Sequence, residues 1–369
     1  MTEITSIFIL RETLVMLYLG KFDWVKMVFL LILLLFIVAV RAISIRIIIC
    51  FRRSNAKAFQ LSLQFLTMLE LNGVPIEDTY CEAFDGIYVR LIVTAKHRWL
   101  LEKAVYGATA LPSTVFGESE AGIERWLSPE ETPDGRIGAI IQIWVPKTKK
   151  FMDILMRETS KRIRQGILVV PTTRVFNACE SENKIDAEIN VGRCGDGYEW
   201  FEERWGKEVI VVPIMFGEFV IERYLGYAEG VAGGNIWYFC ESEEAALEVG
   251  ERAVEALKNV EGVITPFDIC SAGSKPETKF PEIGPTTNHP YCPLLRGKIP
   301  DSKVPEGVKA IPEIVINGTS LEVVKKAMAI CIKVGAEVDG VVKISAGNYG
   351  GKLGKYKIYL REIVDLLKS

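Results

Sequence analysis

Asn235-Ile-Trp-Tyr-Phe-Cys240 decides the fold, because the pattern it opens returns 78 residues later. The segment is apolar and aromatic and reads as a strand. Ser242 then opens a helix with Glu243 and Glu244 in its first turn, where the helix dipole favours acids. That helix runs to about Lys258 and leads into Val260-Glu-Gly-Val263. The second copy starts at Glu313-Ile-Val-Ile316, places Ser320 at a helix start, and leads into Val338-Asp-Gly-Val341. The interval from the serine to the valine is 18 residues in both copies. Each copy continues into a strand, over 262–266 and 340–345, and reaches a Ser-Ala-Gly at Ser271 and Ser345. Those triplets are 74 apart, so one copy is four residues shorter. Two β-α-β units in tandem predict an α+β fold with a ferredoxin-like, split β-α-β arrangement: four strands with two helices on one face.

Upstream, strands alternate with helical stretches. Residues 138–145 (GAIIQIWV), 166–170 and 209–215 (VIVVPIM) read as strands. Residues 150–164 read as a helix with Ile154, Leu155 and Ile163 on its apolar face. A chain of 369 residues predicts two or three domains. With 49% hydrophobic and 25% charged residues it is globular, and a net charge of −3 argues against nucleic acid as a partner.

The mean hydropathy of +0.21 is high and averages two unlike parts. Residues 1–67 carry eight Lys/Arg against three Asp/Glu; the remainder carries 36 basic and 44 acidic residues. Residues 27–40 form an unbroken apolar run of 14, which spans about 21 Å as a helix, short of the ~30 Å hydrocarbon core. Extending it to Phe51 brings in Arg41 and Arg46, each costly at mid-membrane. Arg52, Arg53 and Lys57 follow, so the positive-inside rule would hold the rest of the chain in the cytoplasm. Two readings stand: a hydrophobic N-terminal helix that anchors the protein to a membrane, or a start assigned upstream of the true one at Met68.

The eight cysteines form no C-x-x-C and lie in hydrophobic stretches, as free core thiols of a cytosolic protein do. The two histidines are His97 and His289, and His289-x-x-Cys292 lacks the partners a zinc site needs. The glycine-rich run from Gly347 to Leu353 fails the P-loop pattern: Ala346 replaces its first glycine and Leu353 its Ser/Thr. Neither a G-x-G-x-x-G opening a helix nor a G-x-S-x-G elbow is present. Asn317-Gly-Thr319 matches a glycosylation acceptor but reads as a turn, and Gly233-Gly234 and Gly350-Gly351 read as tight turns or close packing. What remains are the polar loops 132–136, 273–275 and 286–289. The residues alone give a two-lobed α+β enzyme without a metal or nucleotide signature.

Seven segments carry a resemblance. They are Leu71-Asn-Gly-Val-Pro-Ile-Glu-Asp-Thr79, Ala121-Gly-Ile-Glu124, Thr132-Pro-Asp-Gly-Arg136, Val231-Ala-Gly-Gly-Asn235, Val260-Glu-Gly-Val-Ile-Thr-Pro-Phe267, Thr286-Thr-Asn-His289 and Ala346-Gly-Asn-Tyr-Gly-Gly-Lys-Leu-Gly-Lys-Tyr356. From residue 68 onward the chain resembles the formylmethanofuran:tetrahydromethanopterin N-formyltransferases of archaeal one-carbon metabolism. That family's N-terminus falls near Met68, which favours the second reading of residues 1–67. The resemblance implies two α+β lobes, over 68–220 and 221–369, a cytoplasmic homo-oligomer, commonly a tetramer, and no permanently bound cofactor or metal. Its substrates are formylmethanofuran and tetrahydromethanopterin, with the formyl group moving to N5 of the pterin.

Attack of an amine on a formamide gives a tetrahedral intermediate bearing an oxyanion. One amine must lose a proton and the other gain one, work for a carboxyl whose pKa burial has raised. The resemblance assigns that role to Glu313, with Glu306 as the fallback, and makes Asn235, Ser274, Lys275, Asn288 and His289 candidates for substrate contact. The chain departs from the family between Pro266 and Gly273, where members have a longer, glycine-containing loop. A second reading is therefore a non-catalytic paralogue that binds the formyl carrier, or a subunit of a formyltransferase/hydrolase complex.

Overall fold

The computed structural model describes residues 69–111 and 118–368. The hydrophobic N-terminal helix expected within 1–67 lies outside these residues. A hairpin of β1 (Leu69–Leu71) and β2 (Val74–Ile76) leads into the long β3 (Tyr80–Thr94). Then come α1 (Arg98–Thr109), β4 (Glu120–Leu127), β5 (Gly138–Pro146), α2 (Phe151–Arg162) and β6 (Arg174–Asn177). Next are β7 (Lys184–Asp186), α3 (Ala187–Asn190), β8 (Trp200–Arg204), β9 (Lys207–Ile214) and β10 (Gly217–Glu222). The chain continues through β11 (Tyr224–Cys240), α4 (Glu243–Leu257), β12 (Val263–Ile264) and β13 (Glu313–Gly318). It ends with α5 (Leu321–Gly335), β14 (Val341–Ser345), β15 (Tyr356–Tyr359) and α6 (Leu360–Lys368). The molecule is thus mixed α+β.

The pairing shows one pattern twice. Strands run in the order β4-β5-β3-β6 in the first part and β12-β13-β11-β14 in the second, antiparallel throughout. The duplication read between 235 and 345 covers two halves of the second part. An equivalent arrangement in the first part went unread, because its β-α-β spacings share no sequence pattern. The two long strands pair with each other, from Tyr227 opposite Val89 to Ala232 opposite Phe84.

The pleat sorts the side chains of β11. Ile236, Tyr238 and Cys240 face a core built with α4 and α5, where Val249, Ala253, Val324 and Met328 are buried. Asn235, Trp237 and Phe239 face the other way. There Trp237 and Phe239 pack on Val304 and Val308, which belong to the long excursion between β12 and β13. Both helix starts hold: Ser242 accepts from the Ala245 N–H at 3.0 Å, and Ser320 from the Val323 N–H at 3.2 Å. Each such cap stabilises by about 1 kcal/mol.

Several expectations change. Residues 166–170 are not a strand: Ile163–Leu168 form a π-helical turn continuing α2. Gly166 lies against α1 so closely that a Cβ there would sit 2.5 Å from the Ala108 nitrogen. A short apolar run has no periodicity to separate strand from helix. The strand expected over 262–266 shortens to two residues. Asn317 lies in β13, fully buried, rather than in a turn; it accepts from the Gly233 N–H at 2.9 Å and donates to Glu120 at 2.7 Å. Cys81, Cys179, Cys240 and Cys331 are buried thiols as expected, Cys270 and Cys292 are half-buried, and Cys194 is exposed.

One carboxylate fastens the two strand sets together. Glu124 on β4 accepts from Arg90 at 2.8 and 2.7 Å, from Gln142 at 2.7 Å and from the Gly262 N–H at 2.8 Å. Glu124→Ala leaves a half-buried guanidinium and a backbone donor without their acceptor. The expected loss is about 3–5 kcal/mol, read as a lower midpoint in urea unfolding. An unchanged midpoint would show that Glu261, 3.1 Å from Arg90, takes over the pairing.

Candidate active site

The outer face of β11 and β13 is the floor of the site. Glu313 heads β13 and pairs directly with Trp237 on β11. On its other side an isolated bridge joins Glu313 to Cys270. Residues opposite one another in a ladder share a face, so Trp237, Glu313 and Cys270 form a row across three chain segments. The Trp237 indole N–H donates to the Glu313 carboxyl at 2.9 Å. Protein atoms crowd that carboxyl. Burial raises its pKa above the ordinary range, and the bonds from Trp237 and Cys270 only partly offset this.

The carboxyl opens onto a cavity of about 510 Å³, within the usual range for small-molecule sites. Ile269, Ile311, Tyr291 and Leu294 line it with apolar surface, and Asn288 and Lys309 add polar groups.

The excursion supplies the roof. Lys275 and Thr286 exchange backbone bonds at 2.9 and 3.1 Å, and the Asn288 N–H donates to the Ala272 carbonyl at 3.2 Å. The two polar loops of the sequence are therefore one clip. Asn288 on this clip lines the cavity with Glu313. Ser274 hydrogen-bonds Tyr349, whose hydroxyl pKa is raised by burial and by the nearby Glu313. The other candidates turn elsewhere. The Lys275 ammonium donates to the Glu277 carbonyl, and the His289 ring sits 3.4 Å from Asp301. Asn235 lies on the floor but holds Gly347, accepting its N–H at 2.6 Å. Gly347 in turn packs on Trp237, where a Cβ would come within 2.5 Å of the indole. Glu306 is exposed and lacks the enclosure that acid–base work requires.

Sequence reasoning missed Trp237, Cys270, Tyr349 and Glu82. Glu82, on β3, is buried beneath the glycine-rich loop that carries Tyr349. It accepts the backbone N–H groups of Tyr349 (2.8 Å), Gly351, Leu353 (3.0 Å) and Gly354 (2.7 Å). Burial alone would raise its pKa, but the four donors outweigh burial and hold it below the ordinary value.

A carboxyl whose hold on its proton burial has strengthened, set in a mostly apolar cavity, suits group transfer between amines, and the class is that of a transferase. The model of the formylmethanofuran-tetrahydromethanopterin formyltransferase family matches residues 69–214, and the model of its proximal lobe matches 217–363. The chain belongs to this family. A formylmethanofuran--tetrahydromethanopterin formyltransferase-like protein of Archaeoglobus fulgidus is 77% identical over 298 residues, 81% of this chain and 99% of that protein. The formylmethanofuran--tetrahydromethanopterin formyltransferase of Methanothermus fervidus is 44% identical over 300 residues, 80% of this chain and 100% of that one. The solved formyltransferase from Methanosarcina barkeri is similar at a TM-score of 0.74 and 42% identity, covering 80% of this chain and 100% of that one. A chain of the formyltransferase/hydrolase complex from Methylorubrum extorquens, solved with methylofuran, is similar at a TM-score of 0.73 and 33% identity, covering 81% and 99%. Among the described residues no helix is long and apolar enough to cross a membrane.

Proposed function

We propose that this chain moves a formyl group between the amine of methanofuran and N5 of tetrahydromethanopterin, with both coenzymes bound together. The observation that carries the mechanism is the Glu313 carboxyl, fixed by Trp237 and facing the cavity with a raised pKa. The N5 amine attacks the formyl carbon, and the carbonyl π pair moves to oxygen. Ionised Glu313 takes the N5 proton. When the intermediate collapses, the bond from carbon to the methanofuran nitrogen breaks, and Glu313 returns the proton to that leaving amine. The carboxylate is regenerated and no atom is left over. Asn288 at the cavity wall and the Ser274–Tyr349 pair are the substrate contacts in this reading. Lys275, His289 and Asn235 shape the clip and floor that present them.

The same reading takes the two strand orders as ferredoxin-like, the lobes as 68–220 and 221–369, and the working form as a cytoplasmic homo-oligomer, a tetramer. Its test uses the purified full chain with formylmethanofuran and tetrahydromethanopterin. Formation of the N5-formyl pterin, followed optically, is the expected result. Folded protein that binds either coenzyme without transferring the formyl group would replace this reading with that of a carrier-binding subunit.

A further inference from the structure

The Cys270 thiol has no part in the proton transfers just described, yet it stands beside the group that makes them. Cys270 and Glu313 exchange both backbone hydrogen bonds, at 2.8 and 2.9 Å. In such a pair the Cα atoms are about 5.5 Å apart and the side chains leave the same face. Trp237 and Cys270 stand on the two segments that flank Glu313, and the Cys270 side chain is among the groups that favour the ionised carboxyl. Burial and the adjacent Glu313 both raise the Cys270 pKa, so the thiol keeps its proton and serves as a donor. A thiol held in that form is a poor nucleophile.

We infer that Cys270 is a positioning residue for Glu313: its S–H and the Trp237 N–H clamp the carboxyl between them and set the pH at which it gives up its proton. The inference rests on the proposed role of Glu313 and adds a specificity of proton affinity to it. Two other titratable groups feel the carboxyl's charge: Tyr349, from the loop after β14, and Cys81, on β3, whose thiol itself turns to Met328 in the helix-covered core. Glu243 and Lys309 stand on the cavity wall. All four are retained in the variants below. The sign is fixed by the donor. A hydrogen bond to the carboxylate favours the charged form, so removing it raises the Glu313 pKa.

The test uses the full chain labelled with ¹³C-glutamate, and its Cys270→Val, Cys270→Ala, Cys270→Ser and Glu313→Gln variants. Isotope-edited infrared spectra give the carboxyl titration, with the Glu313 band identified by its loss in Glu313→Gln. The pH profile of formyl transfer is measured alongside. In Cys270→Val and Cys270→Ala the Glu313 midpoint is expected to move up by about half to one pH unit, with the corresponding limb of the rate profile. In Cys270→Ser, which keeps a donor, the midpoint stays at or below that of the native protein. A Val or Ala midpoint equal to the native one overturns the inference, as does a Ser variant that shifts with them. If Glu313→Gln turns over normally, the role of Glu313 fails, and the infrared titration still decides the role of Cys270.

Discussion

Glu313→Gln is expected to lower kcat for formyl transfer by about 10²–10⁴-fold with little change in KM for either coenzyme. The amide keeps an oxygen for the Trp237 N–H, so the floor of the site stays in place while the proton carrier is gone. Stability should move the other way. The folded protein raises the Glu313 pKa, so this group's stabilising contribution is complete below the unfolded-state pKa. It is lost as pH rises through the folded value, because ionising a crowded carboxyl is unfavourable. Gln never ionises. Melting temperatures of the variant should therefore match or exceed those of the native protein on the alkaline side of that window. A variant both less stable there and fully active would leave Glu313 with neither role.

Glu82→Ala is expected to lose about 3–5 kcal/mol of stability and most of the activity, although Glu82 lines no part of the cavity. Its carboxylate gathers four backbone donors of the glycine-rich loop, and Gly350 and Gly351, both at positive φ, let the loop wrap around it. Without it the four N–H groups must find water, and Tyr349 leaves its place beside Ser274 and Glu313. Amide exchange at residues 349, 351, 353 and 354 should accelerate well beyond the global change. The Glu82 pKa is depressed, so its contribution is present above the unfolded-state pKa and lost as pH falls through the folded value. The variant should accordingly show a flatter acid limb of stability against pH. Native-like exchange at those amides would mean that the loop holds itself.

The elements that were legible in sequence are those fixed by neighbours in the chain. Ser242 and Ser320 declare helix starts because the amides they cap lie three residues on. The turns at Gly350 and Gly351 read correctly because positive φ is a local demand. The acceptor that organises that loop is 269 residues earlier than Gly351, and nothing local points to it. Glu313 stood out through its resemblance to the family. Its partners Trp237 and Cys270 did not, since each is set opposite it by strand register rather than by spacing. The same limit explains Gly166, whose conformation is dictated by contact with α1, and Asn317, whose acceptor-like tripeptide turned out to be an interior strand end.

The excursion between β12 and β13 leaves and re-enters the sheet at strands that pair with each other. Its ends are therefore held at a fixed separation whatever its length. Doubling a flexible loop adds only about 0.6 kcal/mol of closure entropy, so residues can be gained or lost there with little effect on folding. Most of the roof is thus free to vary in length without disturbing the floor. A change of length at the near end of the roof would be felt differently, because Cys270 there is laced to the backbone of Glu313 and would carry the shift into the proton chemistry beneath.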